Sequence, residues 1–199
     1  DLVQWTEHRP ALAPEKGYDQ FGIWSGHTVI GDDGKPLIMY TGGDGKEFGM
    51  CLAYPEDEEL ISWKKHEGNP VVQGPPEHFS RVDFRDPYLW QEGDVWYMII
   101  GFGVEEDGVD KGTVLLYKST DMKNWEYLHP LFTGNRPVDD TGIFWEMPVF
   151  WKLNGKYILL VNPTPHDGKP AVAVYWTGDF LNERFVPDQK MPRKLEVIN

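Results

Sequence analysis

The sequence predicts an all-β chain folded as part of a β-propeller with four-stranded blades, and three observations carry that reading. Trp (9), Tyr (9), Phe (10) and Gly (21) are abundant, a composition suited to pleated strands joined by tight turns. A pattern of about sixty residues recurs along the chain. Within each recurrence, short aromatic and β-branched runs alternate with turns bearing Gly, Asn or Asp.

The recurrence is clearest in three segments: 28–43 reads TVIGDDGKPLIMYTGG, 87–103 reads PYLWQEGDVWYMIIGFG and 148–163 reads PVFWKLNGKYILLVNP. Each is an apolar run, a short polar turn with Gly and a second apolar run, the pattern of a β-hairpin. The turns are Gly31-Asp32-Asp33-Gly34, Gln91-Glu92-Gly93-Asp94 and Leu153-Asn154-Gly155-Lys156. Val29, Tyr88 and Val149 are 59 and 61 residues apart. Trp5, Trp63 and Trp125, each followed by a proline (Pro10, Pro70, Pro130), keep nearly the same step and are read as blade core rather than ligand contacts. A third strand at 113–117, a turn at 119–121 and a last strand around Trp125 complete a four-strand unit, the size of a propeller blade. Helical periodicity is weak throughout; 56–61 reads as a loop or a single turn. Solenoid repeats are usually shorter, about 20 to 45 residues.

The predicted boundaries are residues 1–12 for the last strand of a first blade, about 22–72 for a second, about 84–131 for a third and about 145–199 for a fourth. At about sixty residues per blade, 199 residues make a little over three blades, fewer than a propeller needs to close. The expectation is therefore a partial propeller lacking most of its first blade and its last.

With 32 acidic and 19 basic side chains, the formal charge of −13 repels phosphate backbones and anionic lipid, so nucleic acid and membrane are not expected partners. An uncharged sugar suits this balance, and so does a merely solvated surface. The single cysteine, Cys51, excludes an internal disulfide, and no spaced Cys/His set marks a metal site, so neither metal nor cofactor is expected. The six histidines show no ligand spacing and read as surface or packing groups. No apolar run reaches the roughly 18 residues of a membrane span. The compartment stays open, because a signal segment upstream of Asp1 would not be seen.

In a propeller the start of each innermost strand points at the central axis, so equivalent positions converge on one pocket. Here these are Trp24-Ser25-Gly26, Phe84-Arg85-Asp86-Pro87 and Trp145-Glu146-Met147-Pro148. They gather aromatic rings, a hydroxyl, a guanidinium and two carboxylates, with Glu146 read as the repeat counterpart of Asp86. Alone, Arg85-Asp86-Pro87 could be a strand-edge turn with a local ion pair; in this setting it reads as a site. Asp32-Asp33, Asp139-Asp140 and the acidic run 56–59 read as turns and solvated faces, with Asp139-Asp140 close enough to reach the pocket rim.

These strings resemble the internal signatures of glycoside hydrolase family 32, the invertases, inulinases and levanases. The likeness also covers Asp1-Leu2-Val3-Gln4-Trp5 with Pro10-Ala11-Leu12, Tyr18-Asp19 before Gly22, Trp24-Ser25-Gly26, and Tyr54 onward to Trp63, and so runs in order along the chain. It implies a five-bladed propeller, a C-terminal β-sandwich domain in the parent protein, and retaining hydrolysis of the β-fructofuranosyl bonds of sucrose or fructans. By resemblance Glu146 is the general acid/base, Asp86 the transition-state stabiliser, and Arg85, Trp24, Ser25 and Trp145 substrate-binding residues. For Trp24 and Ser25, simple packing is an equal alternative. Glu146 would need a raised pKa, with burial beside Trp145 the expected means. The family's nucleophile, an aspartate in a Trp-Met-Asn-Asp-Pro-Asn-Gly type motif, has no counterpart here, which implies that it lies upstream and that the 199-residue chain alone is inactive.

Members commonly carry Cys where this chain has Met147 and often Asp where it has Val149, changes that bear on pH optimum. His27 replaces a small polar residue and is expected to reshape the subsite near Trp24. Two other readings stand beside the glycosidase: a propeller that binds sucrose or fructan without cleaving it, and a related propeller hydrolase acting on arabinose- or xylose-containing glycans. Arg85-Asp86-Pro87 paired with Glu146-Met147-Pro148 favours the fructosidase over the latter.

Overall fold

The computed structural model describes residues 2–79, 81–165 and 172–195. They form three antiparallel sheets, each a meander in chain order. The first holds β1 (Gly22–Ile30), β2 (Pro36–Gly43), β3 (Phe48–Pro55) and β4 (Trp63–Lys65). The second holds β5 (Arg81–Glu92), β6 (Val95–Glu106), β7 (Val109–Ser119) and β8 (Glu126–Thr133). A one-turn helix, α1 (Arg136–Asp139), leads to the third: β9 (Phe144–Leu153), β10 (Lys156–Thr164), β11 (Val174–Leu181) and β12 (Arg184–Pro187), with β13 (Arg193–Lys194) also paired to β11. Two of the sheets have four strands and the third has five, and they span residues 22–65, 81–133 and 144–194.

The hairpin turns follow their sequences. Asn154 and Gly155 both take positive φ (51° and 83°), the conformation a two-residue hairpin needs and one that Asn and Gly reach at little cost. Residues 56–61 form a turn in which the Asp57 carboxylate accepts the backbone N–H groups of Ile61 and Ser62 at 2.9 and 2.8 Å.

Strand alternation builds the core. Along β6, Trp96, Met98, Ile100, Phe102 and Val104 face the first blade, while Tyr97 and Ile99 face the third. A strand buried on both faces reads as one unbroken apolar run, which is why this segment lacks polar alternation. The first interface is completed by Leu37, Met39, Met50 and Leu52, the second by Trp145, Phe150, Leu159 and Trp176. A third cluster, Tyr40, Cys51 and Ala53, lies on the other face of the first blade under Leu12 and Tyr18. There Asp19, fully buried, accepts hydrogen bonds from Lys65 Nζ (2.6 Å) and Tyr40 Oη (3.0 Å) and anchors the 13–19 segment. Burial pushes the Cys51 thiol up to about 12, so it is an inert core group.

The opening residues correct the sequence reading. No strand forms in 2–12, and Trp5, expected in a blade core, is 79 % exposed. A strand exists only where a neighbour accepts its hydrogen bonds, and the three sheets place none beside this segment. The turn chemistry is nevertheless that of the other blades. Trp5, Trp63 and Trp125 each donate the indole N–H to the carbonyl three residues earlier, at Leu2, Leu60 and Met122. All three acceptor residues take positive φ, and Trp63 and Trp125 do pack against core clusters.

Candidate active site

The innermost strands β1, β5 and β9 each break register at the predicted motif: between Trp24 and Gly26, between Arg85 and Pro87, and between Glu146 and Val149, opposite Asn162 and Leu160. A bulge re-aims the side chains around it, and all three re-aim them at one end of the adjoining blades. The pairing also fixes which residues are equivalent. Trp24 pairs with Thr41, Arg85 with Gly101 and Glu146 with Asn162. Glu146 is thus the counterpart of Arg85, not of Asp86; the counterpart of Asp86 is Met147, and both of these bulge residues have positive φ, 65° and 42°. Aligning carboxylate with carboxylate had shifted the repeat by one residue.

Neighbouring bulges are bonded to one another. The Thr41 hydroxyl donates to the Ser25 carbonyl at 3.0 Å and accepts the Asp86 N–H at 2.9 Å. Asp86 Oδ2 accepts the Met147 N–H at 2.9 Å. Each blade's motif is therefore positioned by the next. Gly101 permits the approach: a Cβ there would lie 2.3 Å from the Trp145 carbonyl and 2.9 Å from that of Arg85.

Arg85 joins the two predicted carboxylates. Its Nη2 donates to Glu146 Oε1 at 2.6 Å and its Nε lies 3.8 Å from Asp86 Oδ2. Nη1 contacts Asp83, and the guanidinium carbon sits 4.2 Å from the centre of the Phe144 ring. Charged on three sides and stacked on the fourth, this arginine has little freedom. Sequence reasoning missed Asp83, Phe144 and Thr41. Asp83 was legible in principle, since residues two apart on a strand share a face; Phe144 and Thr41 reach the site through pairings that only the fold creates.

The two carboxylates differ in setting. Asp86 is buried, 5 % exposed, and burial raises its pKa above the ordinary value; Glu146 pushes the same way, while the Met147 N–H and Arg85 oppose it. The Glu146 side chain is 41 % exposed. The expected burial of Glu146 against Trp145 does not occur. Trp145 is fully buried, donates its indole N–H to Thr141 O at 2.8 Å and packs against Phe132 and Trp176, so its ring belongs to the core between the second and third sheets rather than to the site's surface. Consecutive strand residues point to opposite faces; if Glu146 faces the pocket, Trp145 must face the core.

Trp24 is half-buried and Ser25 exposed, both beside this site. His27 lies elsewhere: Nδ1 accepts the Leu89 N–H at 3.0 Å and the ring stacks on Tyr88 at 4.2 Å, tying β1 to β5 rather than lining a subsite. Asp139 is occupied locally, accepting bonds from Asn135 N and from Thr141 N and Oγ1. Of the six histidines, His166 lies outside the described residues. Among the described residues no group of three or more His, Cys, Asp or Glu side chains is arranged to hold a metal ion, and no helix is long and apolar enough to cross a membrane.

Successive antiparallel meander sheets, each with its first strand bulged at the site, are the architecture of a propeller domain. The sequence profile of the glycosyl hydrolases family 32 N-terminal domain matches residues 1–196, and the chain belongs to that family. It is 35 % identical over 189 residues to a sucrose-6-phosphate hydrolase of Bacillus subtilis (strain 168), covering 91 % of this chain and 37 % of that protein. With a fructan 1-exohydrolase of Aegilops speltoides the identity is 33 % over 208 residues, covering 94 % and 33 %. Among solved structures, fructan 1-exohydrolase IIa from Cichorium intybus, determined in complex with 1-kestose, superimposes with a TM-score of 0.81 at 28 % identity over 98 % of this chain and 39 % of that one. The chain thus spans about a third of the length of these relatives.

Proposed function

We propose that the protein is a retaining glycosidase that cleaves β-fructofuranosyl bonds of sucrose or fructans. The observation that carries this reading is the Asp86–Arg85–Glu146 arrangement on adjacent bulged strands, in a chain similar to sucrose-6-phosphate and fructan hydrolases. Glu146, reachable by solvent, donates a proton to the glycosidic oxygen as the leaving sugar departs and then takes one from the attacking water. Asp86, held by Met147 N–H and Arg85, accepts hydrogen bonds from the fructosyl hydroxyls and opposes the positive charge of the oxocarbenium-like transition state. The covalent step needs a further carboxylate about 5 to 5.5 Å from the acid/base. In this reading it comes from an Asn-Asp-Pro motif, which the 199 residues do not contain.

The test is fructose release from sucrose and 1-kestose by the full-length protein and by its Glu146→Gln variant. Turnover by the first and its near-complete loss in the second support the proposal; unchanged turnover in the variant sinks it. The 199-residue chain alone is expected to release none. A full-length protein that binds these sugars without cleaving them would instead be the binding propeller.

A further inference from the structure

One large aromatic side chain beside Trp24 belongs to none of the core clusters. Phe21, immediately before β1, is 68 % exposed, although its backbone is fixed by an N–H bond to Gly43 O at 3.0 Å. Its ring stacks on Trp24, with centroids 5.8 Å apart and planes at 25°. Trp24 is held in turn by the edge of Phe48 at 4.9 Å and 82°. Its ring occupies space left by two missing side chains: a Cβ on Gly22 or Gly43 would come within 2.7 or 2.5 Å of it. Gly45, at the tip of the β2–β3 hairpin, lies beside Phe21: a Cβ there would be 3.6 Å from the ring. That hairpin tip is itself set, because the Asp44 carboxylate accepts the N–H groups of Lys46 and Glu47 at 2.7 and 2.8 Å.

The result is a stacked pair of rings of fixed orientation, with Phe21 on its solvent side. It starts at the site, since Trp24 occupies the register position of Arg85 and Glu146 and adjoins Ser25, whose carbonyl is linked through Thr41 to Asp86. It leads outward, from half-buried Trp24 to exposed Phe21. Flat aromatic surface beside a few convergent polar groups is the composition of a small-molecule site, and such a wall suits the C–H face of an uncharged sugar ring. A phosphorylated ring would find no cation in the wall itself.

We propose that Phe21, continuing the Trp24 ring, is a stacking subsite for a sugar unit beyond the two joined by the cleaved bond, and that it raises the preference for trisaccharide and longer fructosides over sucrose. The proposal rests on the glycosidase reading for the location of the cleaved bond, but its binding test does not depend on hydrolysis.

In the full-length protein, Phe21→Ala is expected to raise KM for 1-kestose roughly five- to tenfold while leaving its kcat and the KM for sucrose within about twofold, and Phe21→Tyr to preserve wild-type values. Equal effects on both substrates, or none, overturn the subsite. Saturation-transfer NMR with 1-kestose on the full-length Glu146→Gln protein, which is not expected to consume the sugar, supplies the independent arm, with loss of ring-proton transfer expected when Phe21→Ala is added. Undiminished transfer in that variant, or none in the full-length protein with Phe21 intact, refutes the platform even if the protein proves not to be a hydrolase. Because Phe21 is mostly exposed, the variant's melting temperature is expected to match the parent's, which separates lost binding from lost fold.

Discussion

Asp86 and Glu146 stand on neighbouring strands, joined by one guanidinium, and the fold treats them oppositely. Asp86 is the bulge residue itself, nearly fully buried, with its backbone N–H on Thr41 and its carboxylate on the Met147 N–H. Glu146 precedes its bulge, is 41 % exposed and has Arg85 as its side-chain partner. A group that must oppose a developing charge gains from rigidity and dehydration, because a preorganised dipole or charge need not reorient during reaction. A group that must pass protons to a leaving sugar and from a water needs solvent access and a side chain that can turn. The one-residue offset between them lets a single repeated bulge supply both settings.

The largest break in this comparison is Glu146→Gln. The amide keeps a hydrogen bond from Arg85 but cannot give up a proton, so kcat on sucrose in the full-length protein should fall by about 10²- to 10⁴-fold, with melting temperature nearly unchanged because the group is exposed. Substrates with an activated leaving group should lose less, which identifies proton donation as the missing step.

Asp86→Asn comes next, with an expected loss of about 10²- to 10³-fold. Its stability signature is opposite to that of a damaged core. Burial raises the Asp86 pKa above 3.8, so from that pH up to the raised value the folded state holds a proton the unfolded state has lost, and stability falls as pH rises. Above that window the wild type carries the full cost of a buried charge. The asparagine side chain carries no charge and can still accept the Met147 N–H, so the variant should be at least as stable at neutral pH by urea denaturation, and its advantage should vanish below about pH 4.

Much of this arrangement could be read before the fold was known, for identifiable reasons. The sixty-residue step located the blades because each must bury two faces against its neighbours, which forces runs such as that of β6. Asp86 and Glu146 were picked out as carboxylates at the starts of inner strands and by resemblance, with the repeat aligned one residue out of step. Trp145 was misplaced as a ligand contact because adjacency to Glu146 in sequence means opposition in a strand. Thr41 could not be found at all: its importance comes from pairing with Trp24 within one blade and bonding Asp86 across to the next, and no local pattern marks either.

Thr41 therefore offers a way to sharpen the contrast. Thr41→Val keeps volume and branching but leaves the Ser25 carbonyl and the Asp86 N–H without their buried partner, at a cost of about 1–3 kcal/mol. It should loosen the Asp86 bulge and reduce kcat about tenfold with KM little changed, whereas Thr41→Ser, which restores the hydroxyl, should recover most of both losses. A valine variant with full kcat would show that the Asp86 geometry needs only its own strand.

The smallest expected effect lies on the same inter-blade seam, at His27. Its Nδ1 accepts the Leu89 N–H, so the folded state needs the neutral ring, and burial lowers its pKa below 6.5. With the folded value depressed, the unfolded chain binds the proton first as pH falls past about 6.5, and stability declines from there down to the folded pKa. His27→Gln can still accept the Leu89 N–H through its amide oxygen but has nothing to titrate. Unfolding midpoints measured between about pH 4 and 7 should therefore fall less steeply for the variant than for the parent chain. Parallel curves would mean that the β1–β5 seam opens before unfolding and that His27 is protonated there without cost, which would also leave Thr41 as the main lock between those strands.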